Sequence, residues 1–320
     1  MKIYYPIIIL FIISCIWSCK KTTDFEAVTN RYPVQVGKRY GYIDAQGKMV
    51  IEPTFYSVGW FNQNRAVAEL EPGQKVMIDT NGVIIFQDTS GYLRDIFNDG
   101  LIRFDKKNGV SCFIDSLGQE RFCLSDTLAD SDAYFSGERL RVRFPGRSFA
   151  FLDMQGKVAF KLKQGFASPF YGDLAIVSFS GRTCYINKSG HRKFCIKERG
   201  SNFSGDLALV FGDQTSYFID KKGRKKLTKL SYDSVTPFIN GYAAVTKNGK
   251  SGFINTRGKE VIPTKYKEVF YFINNSVAVK LGNKWIFLNS YNKKIITQHF
   301  DEVTAPGFVG ELAYVRLGST

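Results

Sequence analysis

Apolar and polar positions alternate with period two along nearly the whole chain, in short runs rich in aromatic and β-branched residues such as LAIV from Leu174, CYIN from Cys184, KFCI from Lys193 and EVFYF from Glu268. Clusters of Gly, Asn, Asp and Ser separate these runs, and the 3.6-residue periodicity of an amphipathic helix is absent. The pattern predicts an all-β chain of short strands joined by tight turns.

The runs recur. An aromatic or Met followed by Ile or Leu, Asp or Asn, two variable residues and Gly begins at Tyr42, Met77, Phe113, Phe151, Tyr185, Phe218 and Phe253, with a weaker copy, FLNSYN, at Phe287. A second marker, a Phe leading through a polar turn into an alternating strand, falls at Phe61, Phe97, Phe135, Phe170, Phe203, Phe238, Phe272 and Phe308, at intervals of 36, 38, 35, 33, 35, 34 and 36. A length of 320 ordinarily implies two domains. A regular period running from about residue 36 to the end instead predicts one repeat array.

The Asp/Asn-x-x-Gly element has a mechanical reading. An Asp or Asn side chain accepts hydrogen bonds from amides two residues on, and Gly supplies the positive φ of a type I turn with a bulge. Asp44, Asp79, Asp115, Asp153 and Asp220, with Asn187, Asn255 and Asn289, are therefore expected to form turns. Aligning the five carboxylates as metal ligands fits less well, because Asn replaces Asp at the same phase. No metal and no cofactor is expected.

The combination of F-x-x-G-L-A-x-V, then G-(Y/F)-I-D-x-x-G-K, then V-I-P-x-x-Y resembles the bacterial WG (KWG) repeat family, and this resemblance spans nearly the whole array. Its nearest matches are Tyr40-Gly41-Tyr42-Ile43-Asp44 with Val50-Ile51-Glu52-Pro53, and Ser251-Gly252-Phe253-Ile254-Asn255 with Val261-Ile262-Pro263. No Trp-Gly pair occurs, and Trp285 stands in a Lys-Trp-Ile-Phe context. The resemblance implies a β-repeat architecture and an interaction role without a shared catalytic centre.

The array starts in mid-repeat near Lys38 and ends after one strand, VGELAYVRLG from Val309. Joining these fragments would complete one more unit, so the expectation is about eight β-hairpin-containing repeats of about 35 residues closed into a β-propeller-like ring, with an open β-repeat superhelix as the alternative. A period of about 35 is short for four-stranded blades. The predicted domains are a lipoprotein signal peptide at 1–18, a lipidated N-terminus and tether at 19–35, and the repeat domain at 36–320.

The signal peptide is read from MKIYYPIIILFIISCIWSCKK, whose apolar run follows Lys2 and ends at Lys20-Lys21, too short for a persuasive transmembrane helix. Both Ile16-Trp17-Ser18-Cys19 and Ile12-Ile13-Ser14-Cys15 resemble a lipobox. Cys19 is the expected lipidation site, since polarity begins sharply after it. By resemblance to known sorting rules, Lys20 allows passage to the outer membrane, so the expected location is the cell envelope, with the membrane touched through the lipid anchor only.

Export places the other four cysteines in an oxidising setting. Cys112 and Cys123, and Cys184 and Cys195, are each 11 positions apart and occupy the same two phases of their repeats. Disulfides Cys112–Cys123 and Cys184–Cys195 are predicted, although a three-residue loop with one bulge would turn each pair to opposite faces unless a second bulge restores the register. Buried free thiols are the alternative.

Removing the signal peptide, which contains Lys2, leaves 43 basic against 29 acidic residues, a net charge of +14. The basic residues gather in the later turns: Lys188, His191, Arg192 and Lys193; Lys221, Lys222, Arg224, Lys225 and Lys226; Arg257 and Lys259; Lys293 and Lys294. Equivalent turns of an array project from one side, so a basic rim able to hold an anionic polymer is one expectation and a solvated, association-resistant surface the other. Most of the 28 Phe and 17 Tyr recur at fixed phases, as core residues do. No specific nucleic-acid partner is expected. Neither His191 nor His299 sits in a catalytic or metal-binding spacing, and G-x-S-x-G, H-E-x-x-H, P-loop and G-x-G-x-x-G motifs are absent. The composite expectation is a non-enzymatic envelope lipoprotein that binds an unidentified envelope or extracellular protein. Polyanion binding is the alternative, and a propeller-type hydrolase a remote one.

Overall fold

A computed structural model describes residues 31–124, 134–144, 148–163, 165–179, 181–212, 215–303, 313 and 315–316. Cys19, the signal peptide and the Phe308 marker lie outside the described residues. Those described fall into two compact units, 31–197 and 198–316.

The first unit holds five antiparallel sheets in chain order. The first comprises Tyr32–Val36, Arg39–Ile43 and Met49–Phe55. The second comprises Ser57–Val58, Ala66–Glu69, Lys75–Ile78 and Ile84–Gln87. Gly91–Asn98, Leu101–Lys106, Ser111–Asp115 and Glu120–Cys123 form the third, and Leu140–Phe144, Ser148–Leu152 and Val158–Leu162 the fourth. The fifth contains Phe166–Ala167, Leu174–Phe179, Arg182–Asn187 and Arg192–Ile196.

The second unit holds four sheets. The sixth consists of Arg199–Gly200, Leu207–Phe211, Tyr217–Asp220 and Lys225–Lys226. The seventh consists of Ser234–Val235, Tyr242–Lys247, Lys250–Asn255 and Glu260–Tyr266. Glu268–Val269, Ser276–Leu281 and Lys284–Asn289 make the eighth, while Glu302–Val303 pairs with Val315–Arg316 in the ninth.

The two sequence markers meet between neighbouring sheets. The aromatic that opens the Asp/Asn-x-x-Gly motif packs against the marker Phe of the next sheet: Tyr42 on Phe61 at 4.8 Å between ring centroids, Phe113 on Phe135 at 5.2 Å and Phe151 on Phe170 at 5.2 Å in the first unit. Phe218 on Phe238 at 4.5 Å and Phe253 on Phe272 at 5.0 Å repeat the contact in the second. Central strands such as Lys75–Ile78 bury Val76, Met77 and Ile78 in succession, because this sheet packs Val76 and Ile78 against the preceding sheet and Met77 against the following one. Val67 and Met77, for instance, share an apolar cluster with Leu93, Phe97 and Ile102 of the following sheet. Each buried Phe contributes roughly 1.5–3 kcal/mol by removal from water.

The turn glycines complete these contacts. Gly118 has φ 79°, and a Cβ there would lie 2.4 Å from the carbonyl oxygen of Ile85 on the preceding sheet. Gly190 similarly seats on the Phe160 ring. Gly therefore serves the approach of two sheets as well as the turn.

Three expectations change. Tyr32–Val36 pairs with Arg39–Ile43 through a turn at Gly37, so the array begins inside the segment assigned to the tether at 19–35. That strand occupies the edge proposed for the C-terminal strand, and Val315–Arg316 pairs instead with Glu302–Val303. Among the described residues no sheet combines strands from the two chain ends, so the closed ring loses its composite sheet. The strand pairing supports an all-β array of nine small antiparallel sheets among the described residues, in place of about eight repeats with one completed by both chain ends.

Candidate interaction surfaces

All eight predicted turn formers act as turns. One side-chain oxygen of Asp44, Asp79, Asp115, Asp153, Asn187, Asp220, Asn255 and Asn289 accepts amide hydrogen bonds from residues two and four positions on, at 2.8–3.2 Å. Their lone pairs are engaged by the backbone, and Asn serves because only the acceptor oxygen is used. In the weak last copy Asn292, with φ 58°, takes the position of Gly.

The cysteines form disulfides Cys112–Cys123 and Cys184–Cys195. Each pair sits directly opposite in its hairpin, and a register shift between Phe113 and Ile114, or between Tyr185 and Ile186, restores the face that a single turn bulge would have lost. Glu120 lies beside Cys112 and Cys123, but the sulfurs are bonded to each other.

The basic turns divide between the units. In the first, Lys188 is paired with Glu138 at 2.9 Å and with Asp173 at 3.7 Å, and its carbonyl accepts a hydrogen bond from Arg139, while Arg192 and Lys193 are exposed. In the second, Lys221 approaches Asp206 at 3.2 Å, and Asp220 takes Arg224 at 2.7 Å and Lys226 at 3.8 Å. The Arg224 hydrogen bond holds the Asp220 carboxyl down to about 2. The Lys225 ammonium lies over the Tyr217 ring at 4.3 Å, and Lys222, Arg257 and Lys259 are exposed. His191 is exposed on its turn, and His299 Nε2 lies 3.0 Å from Lys294 Nζ.

One buried polar group interrupts the repeat core. Arg103 stands opposite Phe113, at a strand position filled by Val67 in the second sheet, Arg141 in the fourth and Ile176 in the fifth, and it bonds Asp105 at 2.6 Å and Ser111 at 2.9 Å. Burial raises the Asp105 pKa, but hydrogen bonds from Ser111 and Arg103 outweigh it and hold the carboxyl below its usual range. The group is internally satisfied and serves the third sheet.

A line of linked loops was not legible as a unit in the sequence. Phe61, Phe97, Phe135, Phe238 and Phe272 each precede a tight turn with two left-handed residues, such as Gln63-Asn64 or Asp99-Gly100, the signature of a type I′ turn, whereas the turns after Phe170 and Phe203 have one, Gly172 and Gly205. The residue after Phe reaches the next loop: Asn62 Nδ2 donates to the Phe97 carbonyl at 2.8 Å, Asn98 Nδ2 to Phe135 at 2.8 Å and Ser136 Oγ to Phe170 at 2.5 Å. Gly100 and Glu138 amides donate to Gln63 and Asp99 side chains of the preceding loops. Trp60, Ile96 and Tyr171, immediately beside the buried Phe residues, are 47%, 42% and 45% exposed. Only the Phe-Asn and Phe-Ser dipeptides hinted at this ladder.

Segments 40–71, 218–250 and 252–285 match the family model described as WG containing repeat. These matches support the WG-repeat resemblance in both units. No curated protein matches the chain. Among solved structures, the chain is similar to a eukaryotic initiation factor at 15% identity and a TM-score of 0.59, with 86% of each chain covered. It is also similar to BamB from Moraxella catarrhalis, at 11% identity and a TM-score of 0.40 over 82% of this chain and 94% of that one. The computationally designed Ika8 protein is 12% identical, with a TM-score of 0.47 and coverage of 82% and 96%. At such identities the likeness to the initiation factor is one of fold alone.

Proposed function

We propose that the protein is a non-catalytic interaction module of the cell envelope, tethered by lipid on Cys19, whose first unit docks another protein along the linked loops. The observation that carries this reading is the exposure of Trp60, Ile96 and Tyr171 beside a row of loops fixed by side-chain to carbonyl hydrogen bonds. The recurring Phe residues and turn acids are consumed by the fold. These apolar side chains, by contrast, differ from copy to copy and face solvent on a rigid support. Large side chains held without further ordering cost are what an interface core requires.

The partner expected is an envelope or extracellular protein with a complementary apolar patch. The test compares capture from solubilised envelope by the full-length protein and by a Trp60→Glu, Ile96→Glu variant. A discrete protein held by the wild type at high salt and lost from the variant supports the reading; equal capture by both would overturn it. Acylation that disappears in Cys19→Ala tests the tether separately.

A further inference from the structure

Residues 221–267, in the sixth and seventh sheets, contain 12 Lys and Arg against two acidic residues, Asp233 and Glu260. Residues 36–124, built on the same repeat pattern, contain 10 Lys and Arg against 11 Asp and Glu. The architecture thus does not demand charge of one sign, and a surface selected for solubility alone carries both signs interspersed. All 12 cationic side chains of the later segment are exposed.

The fold brings the densest part of this charge together. A Cβ on Gly258 would lie 2.9 Å from a Leu227 methyl, so the turn bearing Arg257 and Lys259 rests against the residue that follows Lys225–Lys226. The two sheets also share an apolar cluster containing Leu209, Phe218, Phe238 and Ile254. Cations of one outer strand and of the next turn therefore recur across packed sheets, whose usual separation is about 10 Å. Asp206 and Asp220 compensate part of the charge through exposed ion pairs, which hold their partners weakly. Lys222, Arg257 and Lys259 form no ion pair among the described residues.

We infer that the sixth and seventh sheets bind a linear acidic polysaccharide across Lys222, Lys225, Lys226, Arg257 and Lys259. Ten of the 12 cations in the segment are Lys, compact charges without the planar fork that Arg offers to phosphate. No exposed aromatic lies among residues 221–267, so the surface lacks the stacking platforms that hold single-stranded bases. What it offers is spaced positive charge, which suits a polymer bearing carboxylate or sulfate groups on successive sugars. This inference stands on the second unit and is independent of the apolar loops in the first.

The test measures binding of the full-length protein to alginate, heparin, neutral dextran and duplex DNA at low and high salt. The charge-removed variant is Lys222→Gln, Lys225→Gln, Lys226→Gln and Lys259→Gln. Its control replaces Lys38, Lys48, Lys106 and Lys107 by Gln, and an unchanged unfolding transition verifies that each variant is folded. The expected result is binding of alginate or heparin but not dextran, weakened by salt, with a loss of about tenfold or more in the first variant and less than about twofold in the control. Absence of polysaccharide binding at low salt, equal loss in both variants, or duplex DNA bound as tightly as the polysaccharide would overturn the inference.

Discussion

The fifth and sixth sheets are successive copies of one pattern that finish differently at the outer strand. In the fifth, Arg192–Ile196 pairs with the neighbouring strand at four positions, through a bulge, and Cys195 is bonded to Cys184. In the sixth, the outer strand is only Lys225–Lys226, opposite Ile219 and Phe218, with no register shift. Tyr217 occupies the phase of Cys184 and carries the Lys225 ammonium over its ring. Leu227, seven residues after Asp220 as Phe194 is seven after Asn187, leaves the strand with φ 31° and meets the next turn. The comparison teaches that the inner strands are fixed by the buried pattern each repeats, whereas an outer strand is free to be stapled or shortened and charged.

The largest expected effect tests the common part. Phe170 and Phe203 hold the same buried phase in the two sheets, and replacing either by Ala is expected to cost about 3–5 kcal/mol, measured by urea unfolding. A cost confined to Phe170 would break the equivalence of the two cores.

The staple comes next. Replacing Cys184 and Cys195 together by Ala is expected to destabilise the protein by about 2–4 kcal/mol, and reduction of the wild type should produce a loss in the same direction. Substituting Lys225 and Lys226 by Gln should leave unfolding nearly unchanged, since exposed ion pairs and solvated cations contribute little. A large loss from the lysine substitutions would show that the sixth sheet depends on its charged edge for stability.

The smallest effect is electrostatic. The folded-state pKa of Asp220 lies at about 2, below its ordinary 3.8, owing first to the Arg224 hydrogen bond. Its contribution is therefore present above pH 3.8 and is lost as pH falls through about 2. Carboxyl NMR titration should find that midpoint, and Arg224→Gln should move it upward. An unmoved midpoint would assign the shift to the backbone amides of Lys222 and Arg224 instead. Asn187, at the same phase of the fifth sheet, has no charge to titrate.

Much of the fold was written in residue types. Asp, Asn and Gly at fixed spacing announce turns because each meets a local backbone requirement, and the Phe phases announce a core because burial recurs with the repeat. The second bulge beside Cys112 and Cys184 was less legible, since bulge placement depends on how two strands settle against covered faces. The apolar loop line was less legible still. Trp60, Ile96 and Tyr171 are of the same residue types as many core side chains, and only their exposure in the folded protein separates them. The seats of Gly82, Gly156, Gly190 and Gly258 on the preceding sheet were not legible either, though the residues they meet, Ile51, Phe122, Phe160 and Leu227, each stand seven positions after a turn Asp.

By itself the sequence determined an all-β repeat array, its turns, its phase of about 35 residues and the pairing of its cysteines, because those properties arise within one hairpin or from its recurrence. Only the tertiary structure decided that Tyr32–Val36 already belongs to the array, that nine sheets form among the described residues with none made from both chain ends, and that the Arg257–Lys259 turn rests on the residue after Lys225 and Lys226. Those outcomes depend on which edges find partners and on which surfaces the packing of sheet on sheet leaves to the solvent.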